Sequence, residues 1–247
     1  MKVTMLDYQL DAIDILIFTK NTRLRQEVTL EDIKHWPYNQ KLDHLEYMKH
    51  TIQSSFEFVR YIFNIEGVSR NFTHQLVRTR NACYAQESQR TVDVRNSEVL
   101  GLGDDHLTQE AANLSMRAYG HLIDCGVPVQ DARSILPTGI ETSITMGVSL
   151  RELMHMGEVR LCTRTQGEYQ EVFKAMKAEV LKVHPYFKGF IEVYCVKHGT
   201  CCFPNYKECP VQEHVMGVEQ DHLDHILEIW ENTNHVANPV AKDGKTM

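Results

Sequence analysis

The sequence predicts a mixed α/β (α+β) protein, with helices arranged around a central sheet. Three observations carry this. The segment FEFVRYIFNI, Phe56 to Ile65, is dense in aromatic and β-branched residues and reads as the strongest strand. Ser149-Leu-Arg-Glu152 and Thr165-Gln-Gly-Glu168 are two capping boxes, each opening a helical pattern. Leu107 to Cys125 repeats apolar residues at helical spacing and stops at Gly126 and Pro128.

The elements follow in order. Met1 to Tyr8 alternates apolar and polar residues and reads as a short strand. Leu10 to Phe18 reads as a helix, Thr29 to Trp36 as a second one capped by Thr29, and Leu42 to Ile52 as a third. Gly67 is expected to end the Phe56–Ile65 strand, after which Ser69 caps a helix carrying Asn71 to Arg78, with Gln75 and Arg78 on one face. Cys83 to Arg90 is expected to be an ordered loop. In the long helix, Leu107, Ala111, Leu114, Ala118 and Leu122 form the expected buried stripe. Val129 to Leu136 is a short helix ended by Pro137, and Thr138 to Val148 reads as strand or extended loop. The helix from Ser149 should reach about Thr163, and the next should end before Pro185. From Cys195 the chain reads as an irregular extension, 195–247, with a helical stretch from His222 to Trp230 and a polar last segment from Asn234. No repeat, linker or boundary interrupts the pattern, so a single domain over 1–247 is expected.

Composition narrows the function. A formal net charge of -7 argues against bulk nucleic-acid binding, which needs a basic footprint. No apolar run is long enough to span a bilayer, and the N-terminal segment carries acids where a signal peptide would not. Seven Cys, an odd number in a chain too long to need staples, read as reduced thiols in a cytoplasmic setting. Cys195, Cys201, Cys202 and Cys209, with His198 and His214, lack the spacing of a zinc knuckle, so no metal site is expected.

Against that acidic background the basic residues are unevenly placed. Lys and Arg are equally frequent, yet from Arg60 to Arg164 every basic residue is Arg. Arg70, Arg78, Arg80 and Arg90 crowd into 21 residues, with Gln75, Gln86, Ser88 and Gln89 among them. Guanidinium offers a planar fork that matches phosphate bidentately. Clustered guanidinium groups repel unless an anion neutralises them, so the stretch points to a phosphorylated small molecule. An Arg-rich surface loop paired with the many acids accounts for the spacing equally well. On the helix from Ser149, Arg151 and His155 stand four apart, as do Arg160 and Arg164. They are either a solvated face or a second wall of an anion pocket.

Arg78-Thr79-Arg80, seven residues and then Ser88-Gln89-Arg90 resembles the signature R-H-R-x7-S of the flavin-dependent thymidylate synthases. Asp131-Ala-Arg133-Ser-Ile-Leu-Pro137 resembles the family's A-R-x-x-L-P block, and Thr142, Arg151, His155, Arg160 and Gln166-Gly-Glu168 keep its downstream spacing. The match is strongest over 50–185. The resemblance implies a fold with a central, mostly antiparallel sheet. It implies homotetramers with active sites at subunit junctions, FAD as cofactor, and C5 methylation of dUMP to dTMP with methylenetetrahydrofolate and NADPH as co-substrates. It places dUMP on Gln75, Gln86, the Glu87 main chain, Ser88, Arg90, Arg133 and Arg160, with Ser88 and Arg160 as catalytic groups. It places the flavin along Ser54, Glu57, Arg78, Thr79, Arg80, Ser149 and His155. The chain departs from the family pattern at Thr79 (usually His), Cys83 (Ser), Thr91 (Tyr), Ser149 (Asn), Arg164 (His) and Gln86 (an acid). Two alternatives stay open: a relative that alkylates another pyrimidine nucleotide, such as UMP or a modified deoxypyrimidine, and a non-catalytic nucleotide- or flavin-binding protein.

Overall fold

The computed structural model describes residues 1–203 and Cys209. The strands are β1 (Lys2–Tyr8), β2 (Arg60–Ser69), β3 (Ala82–Gln86) and β4 (Glu141–Ser149). The helices are α1 (Ala12–Arg23), α2 (Leu30–Lys34), α3 (Tyr38–Thr51), α4 (Arg70–Leu76), α5 (His106–Asp124), α6 (Val129–Ala132), α7 (Leu150–Arg160), α8 (Gly167–Val183) and α9 (Tyr194–His198), with 3-10 turns at Gln53–Phe58, Arg133–Ile135 and Pro185–Phe187. The sheet is antiparallel, in the order β1-β2-β4-β3. The mixed class and the antiparallel sheet are as expected. Contacts divide the chain into two compact units, Met1–Leu6 with Ile62–Gly147, and Asp7–Tyr61 with Val148–Met247.

The first unit holds the sheet. Along β2, Phe63 and Ile65 are fully buried while the residues between them are not, the period of a strand with one covered face. Gly67 does not end this strand. It sits inside β2 at φ +66°, and a Cβ there would meet the Met1 main chain at 3.0 Å, so glycine lets β1 pass close by. β2 then feeds straight into α4, because Ser69 is both its last residue and the helix cap, accepting from the Phe72 amide at 3.1 Å. The first two amides of α4 donate to the Ile140 and Thr138 carbonyls, both at 3.0 Å. Residues 82–86, expected as loop, are β3 on the sheet edge. The Cys83 thiol lies 3.4 Å from the Gly147 carbonyl across to β4, and a Cβ at Gly147 would meet that sulfur at 2.8 Å.

α5 buries a different face from the expected stripe. Ala112 and Tyr119 are inside, with Met116 and Ile123 packed at the same spacing, whereas Leu107 and Leu114 are exposed. The helix has two apolar faces, and the one carrying the Tyr119 ring meets Val94, Ala132 and Ile140. The Tyr119 hydroxyl also accepts from the Val94 amide at 3.3 Å. This small core fixes where the chain arrives after Arg90 and where α6 delivers Arg133.

The second unit is helical. α1 packs on α2, α3 and the 53–58 turn, while α7 packs on that turn, α8 and α9. Phe56, expected at the head of the strand, is fully buried in the 3-10 turn; the strand's alternation begins only after Val59. Thr29 and Asp32 form the reciprocal capping box that opens α2. Ser149 caps α7 as expected, but α7 ends at Arg160. The cap of α8 falls on Gln166, since the Thr165 hydroxyl donates to the Val159 carbonyl at 2.8 Å. The extension is not irregular from its start, because residues 194–198 form α9, closed by Gly199 in the left-handed conformation. The expected helix from His222 to Trp230 lies outside the described residues.

Candidate functional site

In the first unit, the Arg-bearing stretch wraps the ends of α4 and β3. Past α4 the chain continues as a turn, with the Arg78 amide donating to Gln75 (3.2 Å) and the Thr79 amide to Leu76 (3.0 Å). Tyr84 on β3 points its hydroxyl at this turn, 2.8 Å from the Thr79 carbonyl and 3.0 Å from that of Leu76. It pins Arg78-Thr79-Arg80 from below. Arg78 is therefore not on a helix face with Gln75, as expected, but just beyond the helix. Arg78 and Arg80 are exposed, and neither pairs with a described carboxylate. The reading of a salt-bridged surface loop required such pairs.

At the exit of β3, the Gln86 amide donates to the Thr73 hydroxyl at 2.8 Å, and that hydroxyl donates to the Arg70 carbonyl at 3.1 Å. This leaves the Gln86 carbonyl oxygen to accept from a ligand. The Glu87 amide donates to Ser143 at 3.1 Å, and its carbonyl accepts from the Arg70 guanidinium at 3.4 Å. The Glu87 main chain is thus mostly engaged by the scaffold, with one lone pair left over. The Ser88 hydroxyl accepts from the Arg90 amide at 3.3 Å and keeps its own proton to donate. Burial holds the Arg70 guanidinium below its usual range, the charge of Arg133 adds to this, and Glu87 opposes both.

Gln86, Glu87 and Arg133 therefore gather around Arg70, with Ser88 and Arg90 further along the loop after β3 and Gln75 on the same helix as Arg70, and Arg90 and Arg133 pair with no described carboxylate. Two buried atoms here, Gln89 Nε2 and Thr142 Oγ1, have no hydrogen-bond partner. Polar atoms buried without partners are costly, so the cluster carries unmet donors as well as unmet positive charge.

The remaining candidates stand in the second unit. The Ser54 hydroxyl accepts from Arg23. Glu57 is ion-paired with Arg151, so Arg151 is not free to wall an anion pocket. The Ser149 hydroxyl accepts the Glu152 amide at 3.3 Å as the α7 cap. His155 is exposed on α7. Arg160 stacks over the Tyr169 ring at 4.3 Å, and Arg164, beyond the helix end, over Phe203 at 4.5 Å. Arg160 and Arg164 do not share a helix face, because α7 stops between them.

Three residues of the site escaped the sequence reading. Arg70 was one Arg among several, and only its position as the first residue of α4 singles it out. Thr73 was unmarked. Tyr84 carried a usable signal, as the sole Phe, Tyr or Trp between Phe72 and Tyr119.

Comparison with known proteins gives the family of the chain. The sequence model of the family described as "Thymidylate synthase complementing protein" matches residues 6–186. The chain is 31% identical over 214 residues to the flavin-dependent thymidylate synthase of Sulfurisphaera tokodaii, covering 80% of each chain. It is 32% identical over 221 residues to that of Sulfolobus acidocaldarius, covering 80% of this chain and 79% of the relative. Among solved structures, the flavin-dependent thymidylate synthase of Helicobacter pylori complexed with FAD and dUMP superposes with a TM-score of 0.64 at 18% identity, covering 78% of this chain and all of that one. A UMP/dUMP methylase from Streptomyces cacaoi bound with 5-Br dUMP gives 0.62 at 18% identity, over 78% of this chain and 97% of that one. These two show the fold; the sequence matches show the family. The chain belongs to the flavin-dependent thymidylate synthases, a family of methyltransferases.

Proposed function

We propose that the protein performs the reductive C5 methylation of dUMP to dTMP, with methylenetetrahydrofolate as one-carbon donor and NADPH as reductant. The observation that carries this is the cluster at the exit of β3: guanidinium groups without described acidic partners, set beside donors and acceptors that the fold leaves unused. A nucleotide monophosphate supplies what it lacks. Arg90 and Arg133 meet the phosphate charge, and the Ser88 hydroxyl donates to an anionic oxygen. The Gln86 carbonyl accepts from the sugar or base. Gln75 completes the face from α4. Arg160, in the second unit, is assigned to the substrate by the family resemblance.

The residues also suit FAD. Arg78 and Arg80 are exposed, unpaired with any described acid, and held on a pinned turn, as a pyrophosphate requires. Thr79, Ser54, Glu57, Ser149 and His155 are assigned to the flavin by resemblance. Of these, the Ser54, Glu57 and Ser149 side chains already have protein partners, which fit them to shape the site. Bound FAD would supply the reducing equivalents, and the protein's part is to bind, orient and neutralise charge.

Assembly into a homotetramer goes with this reading. It is supported by the exposed apolar face of α5 at Leu107 and Leu114, which the described residues leave uncovered. A cytoplasmic setting is supported by seven cysteines that are all free. Among the described residues no helix is long and apolar enough to cross a membrane.

The test is product formation. Purified protein with dUMP, FAD, NADPH and methylenetetrahydrofolate should yield dTMP by chromatography, and omission of any one component should abolish it. Formation of 5-methyl-UMP from UMP, with dUMP unreacted, would instead favour a ribonucleotide substrate. No product from either would leave a binding protein.

A further inference from the structure

An amide side chain presents a donor or an acceptor according to which way it is turned. At Gln86, the last residue of β3, Thr73 decides which. Thr73 is fully buried on α4, and its hydroxyl carries a single proton. That proton goes to the Arg70 carbonyl at 3.1 Å, the backward bond of a helical threonine to the residue three before it. The hydroxyl oxygen then has only lone pairs to offer, so it takes the Nε2 donor of Gln86, at 2.8 Å. The Arg70 carbonyl is itself held. Ser69 caps α4 at the Phe72 amide, and the Arg70 and Asn71 amides donate to the Ile140 and Thr138 carbonyls, both at 3.0 Å. On the other side, the Glu87 amide donates to the Ser143 carbonyl at 3.1 Å, which fixes the main chain just past Gln86. Both ends of the Thr73–Gln86 bond are therefore anchored, and Oε1 is the atom that Gln86 presents.

We propose that Thr73 is a positioning residue for substrate specificity, acting through Gln86: it holds the amide so that the site reads a hydrogen donor on the nucleotide, a sugar hydroxyl or the N3–H of uracil. The role rests on the nucleotide lying at the exit of β3, as proposed above, and it gives that contact a direction. A glutamine able to turn would meet a donor with Oε1 and an acceptor with Nε2, and would discriminate neither. Held by Thr73, it offers only a lone pair. A ligand that brings a lone pair of its own to this point, as cytosine does at N3, is left with a polar group unpaired. A site built to hydrogen-bond one group rejects an analogue lacking it far more strongly than an apolar pocket rejects a misfit. Thr73 does this without touching the ligand, and it needs only its hydroxyl. Serine at that position keeps the device, and valine, similar in shape, removes it. A carboxylate at position 86 has acceptors on both oxygens and no wrong way round, so it needs no such partner.

The experiment is a double-mutant cycle on the full chain with FAD, read by calorimetric titration with dUMP and by KM and kcat. Thr73→Val should weaken dUMP binding and raise KM about 10-fold while kcat changes less than about 2-fold, because an orienting hydrogen bond is lost and the reacting groups stay. Thr73→Ser should bind as the unmodified protein does. Whatever Gln86→Glu itself costs, adding Thr73→Val to it should cost less than about 2-fold more. A purely structural role for Thr73 would give the same loss in both backgrounds. Two analogues identify the donor. The penalty of Thr73→Val should vanish with 2′,3′-dideoxy-UMP if a sugar hydroxyl is read, and with dCMP if N3–H is read. In the unmodified protein the same analogue should bind at least about 10-fold more weakly than dUMP, a comparison that stands even if Thr73→Val fails to fold. Equal affinity for dUMP and both analogues, equal losses in the two backgrounds, or Thr73→Ser as weak as Thr73→Val would overturn the role of Thr73 alone. Failure of the unmodified protein to bind dUMP would overturn the nucleotide site and the role of Thr73 together.

Discussion

The Arg70 guanidinium donates to the Glu87 carbonyl at 3.4 Å, joining the first residue of α4 to the loop that leaves β3. Together with the Gln86–Thr73 hydrogen bond, this charged side chain ties the helix bearing Gln75 to the loop bearing Ser88 and Arg90. Arg70→Ala should loosen this loop and weaken dUMP binding ~10–100-fold, the range for losing a hydrogen bond from a charged donor. Calorimetry checks it. Arg70→Lys should recover only part, because ammonium lacks the planar fork.

Arg133 acts on Arg70 as a like charge. Removing it should ease the apoprotein while depriving the nucleotide of a partner. Arg133→Ala is expected to leave Tm unchanged or slightly raised, and to weaken dUMP binding by roughly 10-fold or more. A fall in both would mean Arg133 serves the scaffold and not a ligand. Arg90→Ala should likewise weaken dUMP binding by a few kcal/mol, about the value of a lost bidentate contact.

Ser69 ends β2 and caps α4. Ser69→Ala should cost about 1 kcal/mol, measured by urea unfolding, and Ser69→Asp should restore most of it.

Gly139 lies where a Cβ would stand 2.6 Å from the Leu100 carbonyl oxygen. The same carbonyl belongs to a residue whose amide donates back to Gly139 at 2.8 Å, beside the antiparallel bridge between Val99 and Ile140. Main chain cannot yield as a side-chain tip can, so Gly139→Ala should cost ~1–3 kcal/mol.

His184 is 2% exposed, with Nδ1 2.8 Å from the Tyr61 hydroxyl, and burial depresses its pKa. The unfolded chain takes up a proton near pH ~6.5, the folded chain only at lower pH. Stability is therefore full above about pH 6.5 and is lost as pH falls below it. His44, also depressed by burial and by Lys20, has the same sign. His184→Gln should flatten this slope in urea unfolding between pH 5 and 7, leaving only the part due to His44.

The caps and punctuation were legible because they are local. Thr29, Ser69 and Ser149 each cap the helix expected of them, and Pro185 closes α8 where a helix must stop. β3 was not legible. Ala82–Gln86 is a five-residue edge strand whose burial is partial on one face and absent on the other, so its pattern carries little apolar contrast. The phase of α5 was misread because both faces are apolar, and only tertiary packing on Tyr119 selects one. The motif spacing pointed to the stretch in which Gln86, Glu87, Ser88 and Arg90 follow β3. Arg70 and Tyr84 were not legible, because their roles arise from reaching across to other elements.

Flavin and nucleotide binding are read most directly from the absorbance spectrum of the purified protein, repeated during titration with dUMP. The bands of oxidised flavin are expected, shifted saturably by dUMP, with the shift lost in Arg90→Ala while the bands remain. A protein that stays colourless after incubation with FAD, or a flavin spectrum indifferent to dUMP, would contradict the proposed function.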